Sequence, residues 1–273
     1  MWIAARRSRT NGTEERAGGW RRAGAAVGVI RGAADGVLAV VFAPRCAACD
    51  RLLDAPTRGP VCEACWASLR PLAPPLCDRC GDQIPSWRTT SLAGRVCARC
   101  RRKPPLIVRC RAFGSYDGRL RLIIHALKYD KRRSLARRLA SLMRERGADV
   151  LAGADCLVPV PLHWRRLHLR GFNQAADLAA GVGLPVARVL RRVRPTRPQA
   201  ELPASRRYRN LRGAFAPARR RGLRREVAGK CVVLVDDVVT TGATLDGCAR
   251  VLKAAGAREV RALTVARAVS RPR

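Results

Sequence analysis

The sequence predicts an α/β protein in which a small cysteine-rich domain precedes an open, mainly parallel sheet. In the second half, short apolar runs rich in Val and Leu alternate with amphipathic helical patterns. Aromatic residues make up only 4%, so the core must rest on Val, Leu and Ala, which suits helices packed on a parallel sheet. With 48% hydrophobic content, the 273 residues can bury the core of one large or two modest domains.

Hydrophobic periodicity places the elements along the chain. Apolar residues at helical spacing predict two helices, one around Leu120, Ile123 and Leu127 and the next around Leu139 and Met143. Asn173 is expected to cap a third helix, and Gly256 to end a fourth over residues 243–255. Strands are predicted at residues 157–160, 186–190, 232–235 and 260–265. The first of these strands is expected to open the sheet, and a basic loop is expected to follow it.

The first forty residues, rich in Arg, Gly and Ala, predict a basic disordered tail whose place in the native protein is open. The apolar run 36–43 is too short to cross a membrane, and Arg31 and Asp35 interrupt any longer apolar stretch. A short amphipathic helix that leads into the cysteine-rich region is the simpler interpretation. We therefore expect no membrane span and a cytoplasmic location.

The net charge of +35 is extreme for a chain of this size. Such a surface attracts polyanions, nucleic acid first, with an affinity that falls as salt rises. A compositional explanation competes, because the basic residues are five lysines against fifty arginines and alanine is abundant, as GC-rich codons would produce. Both interpretations stay open at this point.

Four cysteine pairs share one spacing, with two residues between the cysteines of each pair. This spacing presents two thiolates to one tetrahedral ion, so four pairs predict two zinc sites of four thiolates each, within a domain at residues 41–108. A disulfide framework is the alternative, but nothing predicts export to an oxidising compartment. Zinc could join the pairs sequentially or in a crossed arrangement. The predicted ligands are Cys46, Cys49, Cys62, Cys65, Cys77, Cys80, Cys97 and Cys100.

The segment 232–245 combines an apolar strand, two adjacent carboxylates and a hydroxyl-rich turn that opens a helix. Asp236 and Asp237 can accept hydrogen bonds from neighbouring sugar hydroxyls or hold hydrated Mg²⁺. The turn can point backbone N–H groups at a phosphate, aided by the helix dipole. A simple helix cap explains only one aspartate and one threonine, and the G-x-x-x-x-G-K-[ST] partner of an ATPase strand is absent. The segment therefore predicts a phosphosugar site.

This segment resembles the phosphoribosyl pyrophosphate loop of type I phosphoribosyltransferases. Residues 155–174, with their PVP and RGFNQ sequences, resemble the signature of the ComF family, which includes ComFC-like and GntX-like proteins. A weaker resemblance lies at 196–215. The resemblance implies a phosphoribosyltransferase-like domain at 109–270, in which Asp236 and Asp237 bind the ribose hydroxyls as catalytic carboxylates. It assigns phosphoribosyl pyrophosphate binding also to Thr240, Thr241, Gly242, Ala243 and Thr244, with Mg²⁺ bound alongside.

The same resemblance places a pyrophosphate loop near residues 162–170. Arg165, Arg166 and Arg170 would neutralise the leaving pyrophosphate there through bidentate hydrogen bonds. The segment with Arg206, Arg209 and Asn210 would cover the site. Lys128 and Tyr129 resemble a Lys-Tyr pair that is usual in the family, but the sequence alone assigns them no role.

Three functions follow from this resemblance and from the charge. The first is a phosphoribosyltransferase that acts on an unidentified acceptor, and the second is a competence protein that handles incoming single-stranded DNA. The third is a non-catalytic, zinc-dependent nucleic-acid-binding or adaptor protein that senses a phosphosugar and docks a protein of the competence machinery. The resemblance favours a phosphoribosyltransferase-like protein of the DNA-uptake type, with catalysis, acceptor and oligomeric state left open.

Overall fold

The computed structural model describes residues 32–38, 40–84, 95–195, 211, 213–218 and 222–268. Most of the predicted basic tail and the predicted covering segment 196–210 lie outside these ranges. Two compact units divide the chain, residues 1–62 and 63–273, and each is described by itself. The domain boundaries expected near residues 40 and 108 stay predictions.

The described part of the first unit begins with a helix over residues 32–38 and 40–42, as the sequence predicted for the approach to the cysteines. The Thr57 backbone N–H donates to Asp35 Oδ1 at 2.8 Å, within a short 3-10 helix at Pro56–Arg58. A single antiparallel bridge joins Arg45 to Leu52, and it closes the turn that carries the first cysteine pair. In the described ranges, no helix combines the length and the apolar content that a membrane crossing requires.

The second unit alternates helices and strands along most of its described length. Its elements up to the middle of the chain are α1 Glu63–Ala67, α2 Ala98–Arg102, β1 Arg109–Ser115, α3 Gly118–Tyr129, α4 Leu135–Arg146, α5 Ala148–Leu151, β2 Cys156–Pro159, α6 Trp164–Arg170 and α7 Gln174–Val182. Those that follow are β3 Leu190–Arg192, β4 Phe215–Pro217, α8 Leu223–Val227, β5 Cys231–Val239, α9 Ala243–Ala254 and β6 Glu259–Arg267.

Four of these strands form a parallel sheet in the order β1-β6-β5-β2, and β3 pairs with β4 in a small antiparallel sheet. The first five residues of β5 are fully buried, which is typical of a parallel strand covered on both faces. On one face, Leu234 packs in a cluster with Leu245 and Leu252 of α9. On the other face, Leu263 of β6 contacts Gly147 at the end of α4. The predicted α/β class with a mainly parallel sheet is confirmed.

The structure corrects three local predictions. Strand β1 was not predicted and precedes the strand expected to open the sheet. The strand expected at 186–190 begins only at Leu190, and Val186 forms a single bridge to Leu157. The basic segment expected as a loop contains helix α6, because the His163 side chain caps it by accepting from the Arg165 backbone N–H at 3.4 Å.

The four cysteines outside the pairs are buried, as expected for small hydrophobic residues. Burial raises the pKa of the Cys110 thiol to about 11, and it raises the pKa of Cys248 well above the ordinary value. Both groups therefore stay protonated at neutral pH, so neither is suited to act as a nucleophile. The four buried cysteines outside the pairs are Cys110, Cys156, Cys231 and Cys248.

Candidate functional site

The paired carboxylates lie in the second half of β5, towards the edge of the sheet where the carboxyl ends of the parallel strands meet. The Asp237 backbone N–H donates to Asp236 Oδ1 at 2.9 Å, and the Val238 N–H donates to Asp237 Oδ1 at 2.7 Å. These local bonds fix both carboxyl groups. Ligands of open α/β sheets bind at this edge, so the carboxylates are placed where the sequence predicted a site.

A cavity of about 230 Å³ brings many of the predicted site residues together. The carboxylates and two loop threonines line it from β5 and the start of α9, and two arginines line it from α6. Residues from α3, α7 and β3, together with Tyr116 and the segment 160–162, form the rest of the wall. The polar and charged lining residues are Tyr116, Lys128, Tyr129, Arg166, Arg170, Gln174, Arg192, Asp236, Asp237, Thr240 and Thr244.

The turn between β5 and α9 separates this cavity from a second one of about 100 Å³. Thr240 and Thr244 line the first cavity, whereas Thr241 and Gly242 line the second. Gly242 is the N-cap of α9 at φ 84°, a left-handed conformation that disfavours any residue with a Cβ. Thr241 therefore lines a different cavity from the carboxylates, although backbone N–H groups at this helix start remain suited to an anion.

The three arginines predicted for the pyrophosphate loop differ in their positions. Arg166 and Arg170 line the cavity, and Arg170 Nη1 donates to Gln174 Oε1 at 2.5 Å. Arg165 is not among the described lining residues, and its guanidinium lies 5.3 Å from the ring centroid of Trp164. Helix α6 thus directs two of the three guanidinium groups into the cavity.

The cavity is electropositive, because Lys128 and three arginines face only two carboxylates. Burial raises the pKa of Asp236 from its ordinary value near 3.8 to about 6, although Lys128, Arg192 and Arg170 oppose the shift. Asp236 is therefore ionised at neutral pH but becomes protonated in mild acid.

The second set of cysteines forms a compact tetrad. The Sγ atoms of Cys77, Cys80, Cys97 and Cys100 all lie within 4.8 Å of one another, with Cys80 and Cys97 3.7 Å apart. Tetrahedral zinc with Zn–S bonds of about 2.3 Å requires sulfur atoms about 3.8 Å apart, so this donor set fits zinc. Hydrogen bonds from Cys100 and Cys80 lower the pKa of Cys77, while bonds to Cys77 and Cys80 raise the pKa of Cys100. Without metal, Cys77 and Cys100 therefore differ in protonation, and a cation between the four sulfur atoms is needed to hold all of them as thiolates.

The first set follows the same sequential pattern. Cys49 Sγ lies 3.8 Å from Cys62 Sγ, and Cys46 Sγ accepts backbone N–H groups from Ala48 at 3.5 Å and Cys62 at 3.4 Å. Although burial raises the pKa of Cys46, hydrogen bonds from Cys62 and Ala48 outweigh burial and lower that pKa to about 7. Cys65 follows Cys62 at the same two-residue spacing. The structure therefore selects the sequential pairing that the sequence left open.

A turn in the second unit shows why the cysteine-rich segment needs a glycine after Cys80. Gly81 has φ 70°, and a Cβ at this position would lie 2.4 Å from the carbonyl oxygen of Cys110. Only glycine fits this conformation and this close approach. The Cys110 backbone N–H also donates to the Arg79 carbonyl at 2.7 Å, so β1 directly supports the cysteine turn.

Comparison with known proteins finds two domain families in this chain. A double zinc ribbon domain matches residues 37–101, and a phosphoribosyl transferase domain matches residues 169–273. DNA utilization protein YhgH of Salmonella typhi is 35% identical over 210 residues, which cover 73% of this chain and 87% of that protein. Competence protein F of Haemophilus influenzae is 29% identical over 234 residues, covering 82% and 97% respectively. The chain belongs to the ComF family.

The match confirms the predicted family, the zinc-binding front end and the phosphoribosyltransferase-like domain of this ComF protein. Its named relatives are competence and DNA utilization proteins. Among solved structures, the allosteric regulatory enzyme of purine biosynthesis aligns over 47% of this chain and 25% of its own, with 25% identity and a TM-score of 0.31.

Two basic residues without a predicted role also line the cavity of the ComF protein. Lys128 reaches it from α3, and its Nζ lies 2.5 Å from Asp237 Oδ2. Arg192 reaches it from β3. The Lys-Tyr sequence was a usable signal for Lys128, but only the packing of α3 over β5 shows its partner. In a chain with fifty arginines, no sequence signal distinguishes Arg192.

Proposed function

We propose that this ComF protein binds phosphoribosyl pyrophosphate with Mg²⁺ in the 230 Å³ cavity. The observation that carries the proposal is the convergence of Asp236, Asp237, Thr240 and Thr244 with the arginines of α6 in one cavity. The carboxylates can accept hydrogen bonds from the two ribose hydroxyls. The two threonines and the start of α9 can hold the 5′-phosphate. Arg166 and Arg170 can then bind the pyrophosphate.

The charge of the cavity supports a highly anionic ligand. Four basic side chains against two carboxylates leave an excess of positive charge before any metal enters. An apolar or cationic ligand would meet unfavourable electrostatics there. Mg²⁺ would be held by Asp236 or Asp237 together with ligand oxygens, and it would offset the remaining phosphate charge.

In phosphoribosyl transfer, pyrophosphate leaves C1 of the ribose as a nitrogen nucleophile attacks, and C1 gains oxocarbenium character. Negative charge then grows on the leaving pyrophosphate. Arg166 and Arg170 are placed to stabilise that charge, while Asp236 and Asp237 hold the ribose in position. The chemistry of this proposal therefore rests on electrostatic positioning by residues that already line one cavity.

Calorimetric titration with phosphoribosyl pyrophosphate tests the proposal. We expect magnesium-dependent binding by the wild type and a loss of affinity of at least about a hundredfold when Asp236→Asn and Asp237→Asn are combined, because two charge-assisted contacts disappear. Asp177→Asn is the matched control, since this carboxylate pairs with Arg133 at 2.7 Å outside the cavity. Equal affinity in the double variant and the wild type would contradict the proposal. A wild type without binding would do so as well.

A second candidate function, binding of single-stranded DNA, is favoured by two exposed aromatic residues next to arginines, one in the cavity lining and one at the start of α6. Trp164 is 65% exposed under Arg165, and Tyr129 is 61% exposed with the Arg170 guanidinium 5.3 Å from its ring centroid. Aromatic faces next to cations are typical platforms for unpaired bases. Leu122, 47% exposed on α3, offers a control position of comparable exposure.

Fluorescence anisotropy with labelled oligothymidylate measures this second activity. Trp164→Ala should weaken binding about tenfold, because stacking on one aromatic ring contributes roughly 1–3 kcal/mol per base. Leu122→Ala should leave binding unchanged, and wild-type affinity should fall steeply with salt. Salt-insensitive binding, or an equal effect of both substitutions, would rule out this platform.

The zinc ribbons complete the proposal. Zinc sites made of four cysteines require that the thiols stay reduced, and the cytoplasm keeps thiols reduced. We therefore propose a cytoplasmic location for this protein. A partner from the competence machinery would bind through the ribbons, and deletion of residues 46–100 would then abolish complex formation. Retention of the complex by that deletion would remove the adaptor role.

A further inference from the structure

The ion pair between Lys128 and Asp237 occupies the carboxylate that the proposed function assigns to the ligand. Lys128 Nζ lies 2.5 Å from Asp237 Oδ2, and the two side chains are only 16% and 6% exposed. The other oxygen, Oδ1, accepts the Val238 backbone N–H at 2.7 Å. Both oxygens of Asp237 are therefore engaged within the protein itself.

This arrangement matters because two adjacent aspartates at the end of a strand would otherwise attract a divalent cation. An ion held by Asp237 would lie within a few ångströms of the Lys128 ammonium. Like charges at that distance repel strongly in a partly buried cavity. Arg170 and Arg166 add to the positive field around Lys128, while Asp236 is the carboxylate that opposes it. Free metal thus meets a carboxylate, Asp237, whose charge Lys128 already balances.

We propose that the Lys128 ammonium neutralises Asp237 in the empty protein and so acts as its counter-cation. Lys128 thereby keeps Mg²⁺ out of the cavity until the phosphosugar binds. The phosphates of the ligand bring negative charge that the ammonium can then share, and Asp237 can accept a ribose hydroxyl. Metal entry thereby becomes conditional on the ligand. This inference rests on the proposed binding of phosphoribosyl pyrophosphate, and it assigns Lys128 a positioning role rather than a step in bond breaking.

A purely structural ion pair is the competing explanation. Buried pairs are often neutral for stability, and removing one partner usually destabilises the fold because a charge is left unpaired. Both explanations predict a change in melting temperature when Lys128 is replaced. Only the counter-cation role predicts that metal binding appears in the absence of any phosphosugar, so metal affinity is the deciding readout.

The experiment titrates the zinc-loaded full chain with Mn²⁺, as a paramagnetic probe for Mg²⁺, and counts bound metal by electron paramagnetic resonance. We expect weak binding by the wild type and one new site in Lys128→Met with at least tenfold higher affinity. Lys131→Met is the matched control, because Lys131 is exposed just after the same helix. Combining Lys128→Met with Asp237→Asn should remove the new site.

Folding of the variant is checked by thermal melting, and Lys128→Gln provides a second test because its amide can still donate to Asp237 without a charge. Equal Mn²⁺ affinity in the wild type, Lys128→Met and Lys128→Gln would overturn the inference. Parallel calorimetry with phosphoribosyl pyrophosphate separates the two claims. A wild type that fails to bind it sinks the proposed function, whereas the Mn²⁺ titration alone decides whether Lys128 excludes metal.

Discussion

Replacing Asp236 by Asn should stabilise the protein while removing the proposed ligand binding. Burial raises the pKa of Asp236 from near 3.8 to about 6, against the opposing effect of Lys128 and the arginines. The folded state therefore binds this proton more tightly than the unfolded chain does. The contribution of the Asp236 carboxyl group to the free energy of unfolding is fully present below about pH 3.8, and it is lost as the pH rises through about 6. An Asn side chain at this position has no charge to bury, and its amide oxygen can still accept the hydrogen bond from the Asp237 backbone N–H.

The size of the effect follows from the shift. About two pKa units correspond to about 3 kcal/mol, and because the carboxyl group is only half-buried, solvent screening reduces this figure. We expect Asp236→Asn to raise the free energy of unfolding by about 1–3 kcal/mol near pH 7.5, and the gain to shrink by roughly half near pH 5. Stability and ligand binding would then change in opposite directions, as at many functional sites.

Urea unfolding at both pH values, with zinc and a reducing agent present, measures this difference. Asp177→Asn is the control, because its partner Arg133 is exposed to solvent that screens the ion pair, so this substitution should change stability little at either pH. An Asp236→Asn variant that is no more stable than the wild type at the higher pH would refute the reasoning. A gain that does not shrink in mild acid would refute it too.

Three further predictions concern the scaffold. Arg138→Ala removes the bidentate pair with Glu63 at 2.6 Å and the contact 4.7 Å from the Trp66 ring, and calorimetric melting should show a loss of about 1 kcal/mol. Gly181→Ala places a Cβ 2.7 Å from Ala140 Cβ, so α7 and α4 must separate and urea unfolding should show a loss of about 1–3 kcal/mol. Acid-released zinc should be two ions per chain, and chelation should lower the melting temperature because metal binding supplies folding free energy. Fewer than two ions, or variants as stable as the wild type, would contradict these statements.

Much of the fold was predictable because several elements carry strong local signals. The apolar run of β5 is buried on both faces, so its sequence indicates a parallel strand without further information. The apolar residues that define the predicted helical spacing of α3 and α4, such as Ile123, Leu127 and Met143, are buried in the structure. The spacing of the four cysteine pairs predicts two zinc sites, but only the distances between sulfur atoms in the fold show that the pairing is sequential.

The missed features depend on tertiary contacts. Strand β1 has arginines at its start, and Arg111 is acceptable there because its guanidinium pairs with Asp149 at 2.8 Å and donates to the Asp78 carbonyl at 3.2 Å. Lys128 looks like an ordinary surface lysine until α3 packs against β5 and brings it to Asp237. Thr240 and Thr241 are neighbours in the sequence but line different cavities, and no local pattern specifies which cavity each of them lines.

The central claim is that one electropositive cavity around Asp236 and Asp237 holds a phosphosugar with its metal. Calorimetric titration of the wild type with phosphoribosyl pyrophosphate, with and without Mg²⁺, tests it most directly. The claim predicts saturable binding of one ligand per chain that requires Mg²⁺ and disappears in the double aspartate variant. Absence of binding in the wild type would contradict the claim. Equally strong binding by the double aspartate variant and the wild type would contradict it as well.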